Sequence, residues 1–579
     1  LRTIKETVMA RLLFAITLAV CCLPLLPGLG GLLASAFAFL PALGLAEASL
    51  SGWHEVITWP GISQSLGLTL VSGLASSLLA VVLSFAILQA TWQTPFWQRI
   101  ARSLPGLLAL PHVAFAIGLV LLLSPSGWLF RILSPLTGDT PLTWAMVQDP
   151  YVIGLTLALT LKETPFLLLM SISVLSQLDV HRLTMVSASL GYDRTSTWIK
   201  VIFPLWFAKM RFPIFAVVAY GLSVVDVAMI LGPNTPPTFA VLVWQWFNDP
   251  DLSLLPRASA GALVLFLLCA LVLVGDRFIE WLVCERFNRW QFTGSRRAWL
   301  PGKNLWWPVV IFPLLVIPTL LLWSFALRWS FPDWLPSRYG LRFWSQELTY
   351  VGVLIGNSVL LALISATVAV IFAMGCLERA AYPRQGSLPK AVIAIPLLVP
   401  QLSILFGIQV AVYSLPGQWH VPATIWAHIF FAFPYVYLAL DGPWQQFDPR
   451  LTQTARSLGM SAMTAWLRIK LPLLLPAIIL AWAVGASVSL AQYLPTQLLG
   501  AGRINTLTTE AVSLSSGLDR RISGLYGLMQ ALIPLLVFVL ATFLSRAMQR
   551  RLTPHQSVAT QPGANHHDAA CESTQHKRA

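Results

Sequence analysis

Apolar runs of about twenty residues recur along the whole chain, separated by short polar or basic stretches. The runs are apolar on every face, not along one stripe, which is the pattern of helices buried all round. About 20 such residues in a helix cross the ~30 Å hydrocarbon core of a bilayer. The alternating pattern of a barrel strand is absent. The chain is therefore expected to be an all-α, polytopic membrane protein. Spans are predicted near residues 11–30, 64–89, 105–124, 151–176, 207–231 and 258–279. A second set is predicted near 306–326, 350–376, 392–413, 421–441, 473–500 and 524–544, giving twelve in all.

Two sets of six suggest a first half at 1–279 and a second at 306–544. Residues 280–305 read as a basic cytoplasmic linker and 545–579 as a polar, disordered cytoplasmic tail. The stretch 28–60 holds five Gly, two Pro and two Trp, and reads as an interfacial or periplasmic excursion. The basic start followed by an apolar run reads as an uncleaved first span, not a secretory signal.

Composition sharpens the class. Only 10% of the 579 residues are charged, against 56% hydrophobic, and mean hydropathy is +0.72. A globular domain carries roughly 25% charged residues, so a soluble fold could not cover its surface with these. The net charge of +14 would suit nucleic acid, but its placement argues otherwise. With the N-terminus inside, 28 of the 37 Lys and Arg fall on the cytoplasmic side. That asymmetry is the positive-inside rule, and shifting the count by one span would reverse it. Six scattered cysteines lack metal-ligand spacing.

Within this pattern one segment is written twice. Residues 182–205 and 450–473 agree at nine of 24 positions, at an offset of 268. Shared are Arg182-Leu183-Thr184 with Arg450-Leu451-Thr452, and Ser189-Leu190-Gly191 with Ser457-Leu458-Gly459. Trp198 matches Trp466, and Pro204 matches Pro472. Each copy lies between the fourth and fifth span of its set, so both face the cytoplasm. Two even sets with parallel topology imply a pseudo-twofold axis along the membrane normal.

The copies predict a helix, a glycine stop, a second helix and a proline interruption. Gly191 and Gly459 can adopt positive φ at a helix C-terminus. Asp193 and Ser461 are natural N-caps for the next helix, and Pro204 and Pro472 are expected to break it. Leu183, Val186 and Leu190 make an apolar stripe on the first short helix; Leu451, Ala455 and Leu458 make its counterpart. A short helix with such a stripe, held along the membrane, is a docking element for another protein.

This spacing resembles the EAA loop of permease subunits of ATP-binding-cassette (ABC) importers, where Glu-Ala-Ala, three residues and Gly lead to a distant Pro. It is most similar to fused, two-domain permeases such as those for thiamine and iron(III). The segments "LPLLPGLGGLL" and "LKETPFLLL" resemble a less studied permease of that group. The resemblance implies that the first short helix of each copy couples to a cytoplasmic ABC ATPase, two copies per chain. It further implies a periplasmic substrate-binding protein and residence in the bacterial inner membrane. No cofactor is expected on this chain; ATP and Mg would belong to the ATPase. The Glu-Ala-Ala itself is replaced by Met185-Val186-Ser187 and by Gln453-Thr454-Ala455.

No GxxxxGK[ST] phosphate loop occurs, so the chain is expected to be a transport subunit and not an enzyme. The alternative is a secondary transporter of the major-facilitator type, also built as six plus six. The loop "ATWQTPFWQRIARSL" lacks that class's charged signature. Intramembrane charges cost about 2.5–3.5 kcal/mol each, so they face the bundle interior. Lys162, Glu163 and Asp226 are the conspicuous ones. Either Lys162 pairs with Asp226 as a structural bridge, or Glu163 and Asp226 give the pathway a cation-attracting lining. The second set offers His428 and Gln492 in roughly corresponding places. Pro111, Pro165, Pro400 and Pro434 suggest kinks. The tail residues His566, His567, Cys571 and His576 read as disordered, not as a metal site.

Overall fold

The computed structural model describes residues 2–41, 47–137, 146–381, 388–413, 418–517 and 519–552. The tail cluster His566, His567, Cys571 and His576 lies outside them. Among the described residues, eleven helices are long and apolar enough to cross a membrane, or twelve if one bent pair is a single span. They are Arg11–Ala36, Ile62–Thr91, His112–Leu133, Ile153–Gln177, Arg194–Ser223 and Leu252–Arg286 (spans one to six). Then come Lys303–Phe325, Arg342–Ala380, the bent pair Val392–Leu398 and Gln401–Val412, His420–Gln446, Ala462–Ala491 and Arg520–Arg550 (spans seven to twelve). The protein is a helical polytopic membrane protein, with one short antiparallel pair among the described residues, Ala326–Arg328 with Arg338–Tyr339.

Several spans differ from expectation in informative ways. Residues 28–36 of the expected excursion belong to span one: Leu25–Ala36 is helical and carries that span onward past Pro24. The described residues from 37 to 60 lie outside any span. Its glycines serve packing. A Cβ on Gly407 would meet the Gly28 carbonyl oxygen at 1.8 Å, and one on Gly31 the Gly407 carbonyl oxygen at 2.7 Å. Backbones this close are the small-residue contacts that hold helices together in lipid, where apolar burial gives no drive.

Spans five and eleven end earlier than predicted. Helix Phe203–Ser223 stops at the extended Val224, and a separate helix, Asp226–Leu231, begins two residues later. Helix Leu471–Ala491 stops at the extended Gln492, before Leu494–Gly500. The two interruptions stand at the repeat offset of 268. Pro111 and Pro400 also fall at breaks, before helix His112–Leu123 and inside the bent pair, whose halves meet at 102°. Pro165 and Pro434 sit inside continuous helices.

The packing crosses the sequence boundary between the two sets. Span one lies against spans eight and nine, with Leu13 on Gly375 and Ile408 on Gly28. Span seven lies against helix His112–Leu123, where Val316 fills the space over Gly118, and against span twelve, where Leu320 covers Gly527. The first span of each set thus packs on helices of both sets. The last helix, Arg520–Leu552, runs past residue 545, where the tail was expected to start.

Candidate functional site

From the end of the first short helix onward, both copies of the repeated segment fold alike residue for residue. The first helix itself starts two positions earlier in copy one, where Asp179 caps it, than in copy two, where Pro449 gives no side-chain cap. In the first, helix Val180–Ser189 begins at Asp179, whose carboxylate accepts from the Arg182 N–H at 3.1 Å. It ends at Gly191, φ 82°, with the Tyr192 N–H donating to the Ser187 carbonyl at 3.1 Å. In the second, helix Arg450–Ser457 ends at Gly459, φ 92°, with the Met460 N–H donating to Ala455 at 3.1 Å. This left-handed exit is open to glycine at little cost and strains other residues. Asp193 then caps Arg194–Thr197 by accepting from the Ser196 N–H at 2.8 Å. Ser461 caps Ala462–Ala465 by accepting from the Thr464 N–H at 3.1 Å.

The prolines do not interrupt the chain beyond these caps. A π-helical turn, Trp198–Ile202 or Trp466–Lys470, leads directly into the long helix, and Pro204 and Pro472 sit in its first turn. The helix continues through them, with the Phe203 N–H bonded back to the Trp198 carbonyl and the Leu471 N–H to the Trp466 carbonyl, so the π-helical turn accommodates a proline that lacks its own N–H.

The short helices turn apolar side chains outward. Met185 (61% exposed), Val186 (55%) and Leu190 (61%) are open in the first copy; Leu451 (47%) and Leu458 (79%) are open in the second. Leu183 is half-buried and Ala455 buried, so these two face the protein. Arg182, Arg450 and Arg456 flank the open faces.

Behind that surface, each loop is fastened to the end of a neighbouring span. The Arg194 guanidinium donates to the carbonyls of Gln89 (2.8 Å) and Trp92 (2.9 Å), and the Gln89 amide donates to the Thr195 hydroxyl at 2.9 Å. These residues lie at the end of span two. In the second copy Lys470 pairs with Glu378 at 2.7 Å, and the Trp466 indole N–H donates to the same oxygen at 3.2 Å. Glu378 lies at the end of span eight. Lys470 also lies 4.7 Å from the Trp444 ring centre, over its face. Sequence reasoning missed Gln89, Glu378 and Lys470. The available signal was a carboxylate at the polar end of an apolar window, with a Lys in the repeat to receive it.

The linker adds a difference between the copies. Lys200 donates to the Thr293 carbonyl at 2.7 Å and the Ser295 carbonyl at 2.5 Å. The Ala298 N–H reaches the Asp193 carboxylate at 3.4 Å. Burial disfavours the charged carboxylate, but hydrogen bonds from Ser196 and Ala298, with Arg297 nearby, hold Asp193 below the usual carboxylate range. Among the described residues, nothing lies within 4 Å of where a Cβ on Gly459 would stand, whereas Arg296 lies over Gly191.

The interior charges are arranged otherwise than expected. Lys162 does not pair with Asp226. Its ammonium donates to the carbonyls of Leu107 (3.1 Å) and Leu110 (2.6 Å), which helix Pro95–Ala109 leaves open where Pro111 ends it. Glu163 meets His112 at 3.1 Å, and the His112 ring lies 5.0 Å from that of Tyr220. Asp226 accepts from the N–H of Val227 at 2.9 Å. His428 is buried with both ring nitrogens bonded, to Ser489 (2.7 Å) and Thr496 (2.9 Å), which marks a structural role.

Comparison with known proteins decides the family. The chain is 33% identical over 505 residues, 86% of its own length and 91% of the other, to the inner membrane ABC transporter permease protein YnjC of Escherichia coli strain K12. The chain belongs to the ABC transporter permease family. Shorter matches fall within it: 34% identity over 102 residues to the spermidine/putrescine transport system permease protein PotC of the same strain, 18% of this chain and 34% of that one. The putrescine transport system permease protein PotI, also of that strain, is 23% identical over 271 residues, 44% of this chain and 96% of PotI. No protein-family profile matches. Nearly all of PotI thus matches less than half of this chain, as a fused ABC permease with two such units requires. The secondary-transporter alternative falls away.

Proposed function

We propose that this ABC permease supplies both membrane-spanning halves of a binding-protein-dependent importer. Helices Val180–Ser189 and Arg450–Ser457 each dock one copy of a cytoplasmic ABC ATPase, and a periplasmic substrate-binding protein delivers cargo to the opposite face. The chain would sit in the bacterial inner membrane with both termini in the cytoplasm, where its Lys and Arg concentrate. It would bind no cofactor itself; ATP and Mg would be held between the ATPase copies.

One observation carries this reading. Two short helices, separated by six spans and therefore on the same face, present open apolar side chains and end in the same left-handed glycine exit. Each is fastened to the end of a second span, Thr91 or Ala380. When ATP closes the ATPase pair, the two helices approach each other and spans two, five, eight and eleven move with them. The cavity then alternates between its two openings. Because the Glu-Ala-Ala carboxylate is missing, docking rests on apolar fit and on Arg182, Arg450 and Arg456.

The double variant Gly191→Arg with Gly459→Arg tests this. It should reach the membrane at wild-type level and lose co-purification with the ATPase. Retained ATPase binding would refute the docking assignment.

A further inference from the structure

The linker between the two sets of spans carries side chains that its own hydrogen bonds leave unused. From Arg286 to Lys303 it holds five basic residues and no acidic one. The guanidinium groups of Arg286, Arg289, Arg296 and Arg297 have no hydrogen-bond acceptor among the described residues. Phe287 (60% exposed), Phe292 (77%) and Trp299 (84%) project from the same segment, and Trp299 is the most exposed large apolar side chain among the described residues. Aromatic groups interleaved with unpaired arginines are the make-up of a segment that lies in a membrane interface. The backbone, by contrast, is occupied. The carbonyls of Thr293 and Ser295 accept from Lys200, and that of Arg296 from the Asp193 N–H, all on the first loop.

We propose that residues 286–303 bind anionic phospholipid headgroups on the face of the bilayer where spans six and seven meet, the four arginines contacting phosphates and the three aromatic side chains entering the interface. This surface depends on the chain's membrane placement and not on ATPase docking.

Two observations choose a bilayer surface over a soluble partner. The first is tethering. The segment leaves span six at Arg286 and enters span seven at Lys303, so both its ends are fixed at one membrane face. Aromatic side chains mark the depth of that face on both spans. Near the end of span six the exposed Phe278 and Trp281 rings lie 5.7 Å apart, and Trp307, 51% exposed, stands at the start of span seven. Such positions belong to the interfacial aromatic belt. Next to span seven the linker is held down further: Gly302 is pressed against the Ala90 side chain at the end of span two, and the Lys303 ammonium lies 5.3 Å from the Phe96 ring centre. The second observation is charge. Five basic residues with no acidic neighbour complement an anionic leaflet, where each adds about fivefold to binding near the surface.

The test places the full-length chain in nanodiscs of phosphatidylcholine with about one third phosphatidylglycerol, carrying photoreactive benzoylphenylalanine in place of Trp299. After illumination the adducts are identified by mass. Phosphatidylglycerol adducts should exceed phosphatidylcholine adducts, relative to lipid abundance, by about fivefold or more, and the excess should shrink in about 1 M salt. The chain with Arg286→Gln, Arg289→Gln, Arg296→Gln and Arg297→Gln should give adducts in proportion to abundance. Arg286 lies over the Phe287 ring and Arg296 over Gly191, so Arg289→Gln/Arg297→Gln is the gentler pair. It is read the same way if the fourfold variant does not purify as a monodisperse species. Adducts of the unsubstituted arginine chain in proportion to abundance, no lipid adduct, or an excess untouched by removing the arginines overturns the proposal. So does a cross-link from position 299 to the ATPase in place of lipid in native membranes, which would assign the linker to the docking surface. The Leu190→Ser/Leu458→Ser chain should keep the lipid excess while losing the ATPase. Failure of ATPase docking and failure of the lipid surface are thereby read separately.

Discussion

The backbone N–H of Asp193 donates to the carbonyl of Arg296 at 3.0 Å, so the linker between the two sets of spans is stitched to the first loop. Ser461, which stands where Asp193 does in the repeat, has no such strand over it: among the described residues, no atom approaches the open side of Gly459. The two docking surfaces of one chain are therefore unequal, although their own helices match.

Lys200 is the second stitch, through the carbonyls of Thr293 and Ser295. Lys200→Ala should free the linker without disturbing the helices. Limited trypsin digestion should then cut at Arg296 and Arg297 several times faster than in the wild type, since cleavage follows local opening. Protection unchanged from the wild type would show that the linker is held elsewhere.

Asp193 both caps a helix and receives the linker. Asp193→Ala should cost about 1 kcal/mol, as loss of a cap does, and hydrogen exchange should rise at residues 194–198. The sign of its pH dependence comes from its depressed proton affinity. The stabilisation is complete above the unfolded carboxylate's value of about 3.9 and is lost as pH falls through the lower folded one. The cap contribution should therefore be flat from about pH 5 to 8 and vanish only in strong acid.

Leu190 and Leu458 contact little within the chain, so replacing them by Ser should leave thermal stability within about 0.5 kcal/mol of wild type. ATPase co-purification should nevertheless fall with each change and disappear with both. A matching loss of stability would mean that these side chains serve the fold.

Lys470 and Glu378 are the reverse case, being partly buried and paired. Lys470→Met or Glu378→Gln should each cost on the order of 3 kcal/mol, because removing one partner strands the other. Changing both to apolar residues should restore much of the stability while uncoupling the second loop from span eight. The readout is ATP-driven uptake compared with thermal stability.

The sequence carried more of the loops than of the interior. Glycine exits, caps and spacing are local, so Gly191, Gly459, Asp193 and Ser461 could be placed from neighbours alone. The breaks at Val224 and Gln492 could not, because "SVVDVAM" and "LAQYLPT" remain apolar enough to read as continuous helix. Gly28, Gly30 and Gly31 suggested a loop, yet two of them make a helix contact whose partner, Gly407, lies in the other set. Lys162 found carbonyls freed by a helix end, which no charge-pairing rule would select. For Gly28, Gly31 and Lys162 the deciding partner is distant in sequence.

Disulfide cross-linking, with an added oxidant, of Leu190→Cys and Leu458→Cys chains to cysteines introduced around the docking cleft of the ATPase in native membranes tests the coupling assignment most directly. Both positions should trap an ATPase copy, and a chain carrying both should trap two. An intact permease–ATPase complex in which neither position cross-links would contradict it.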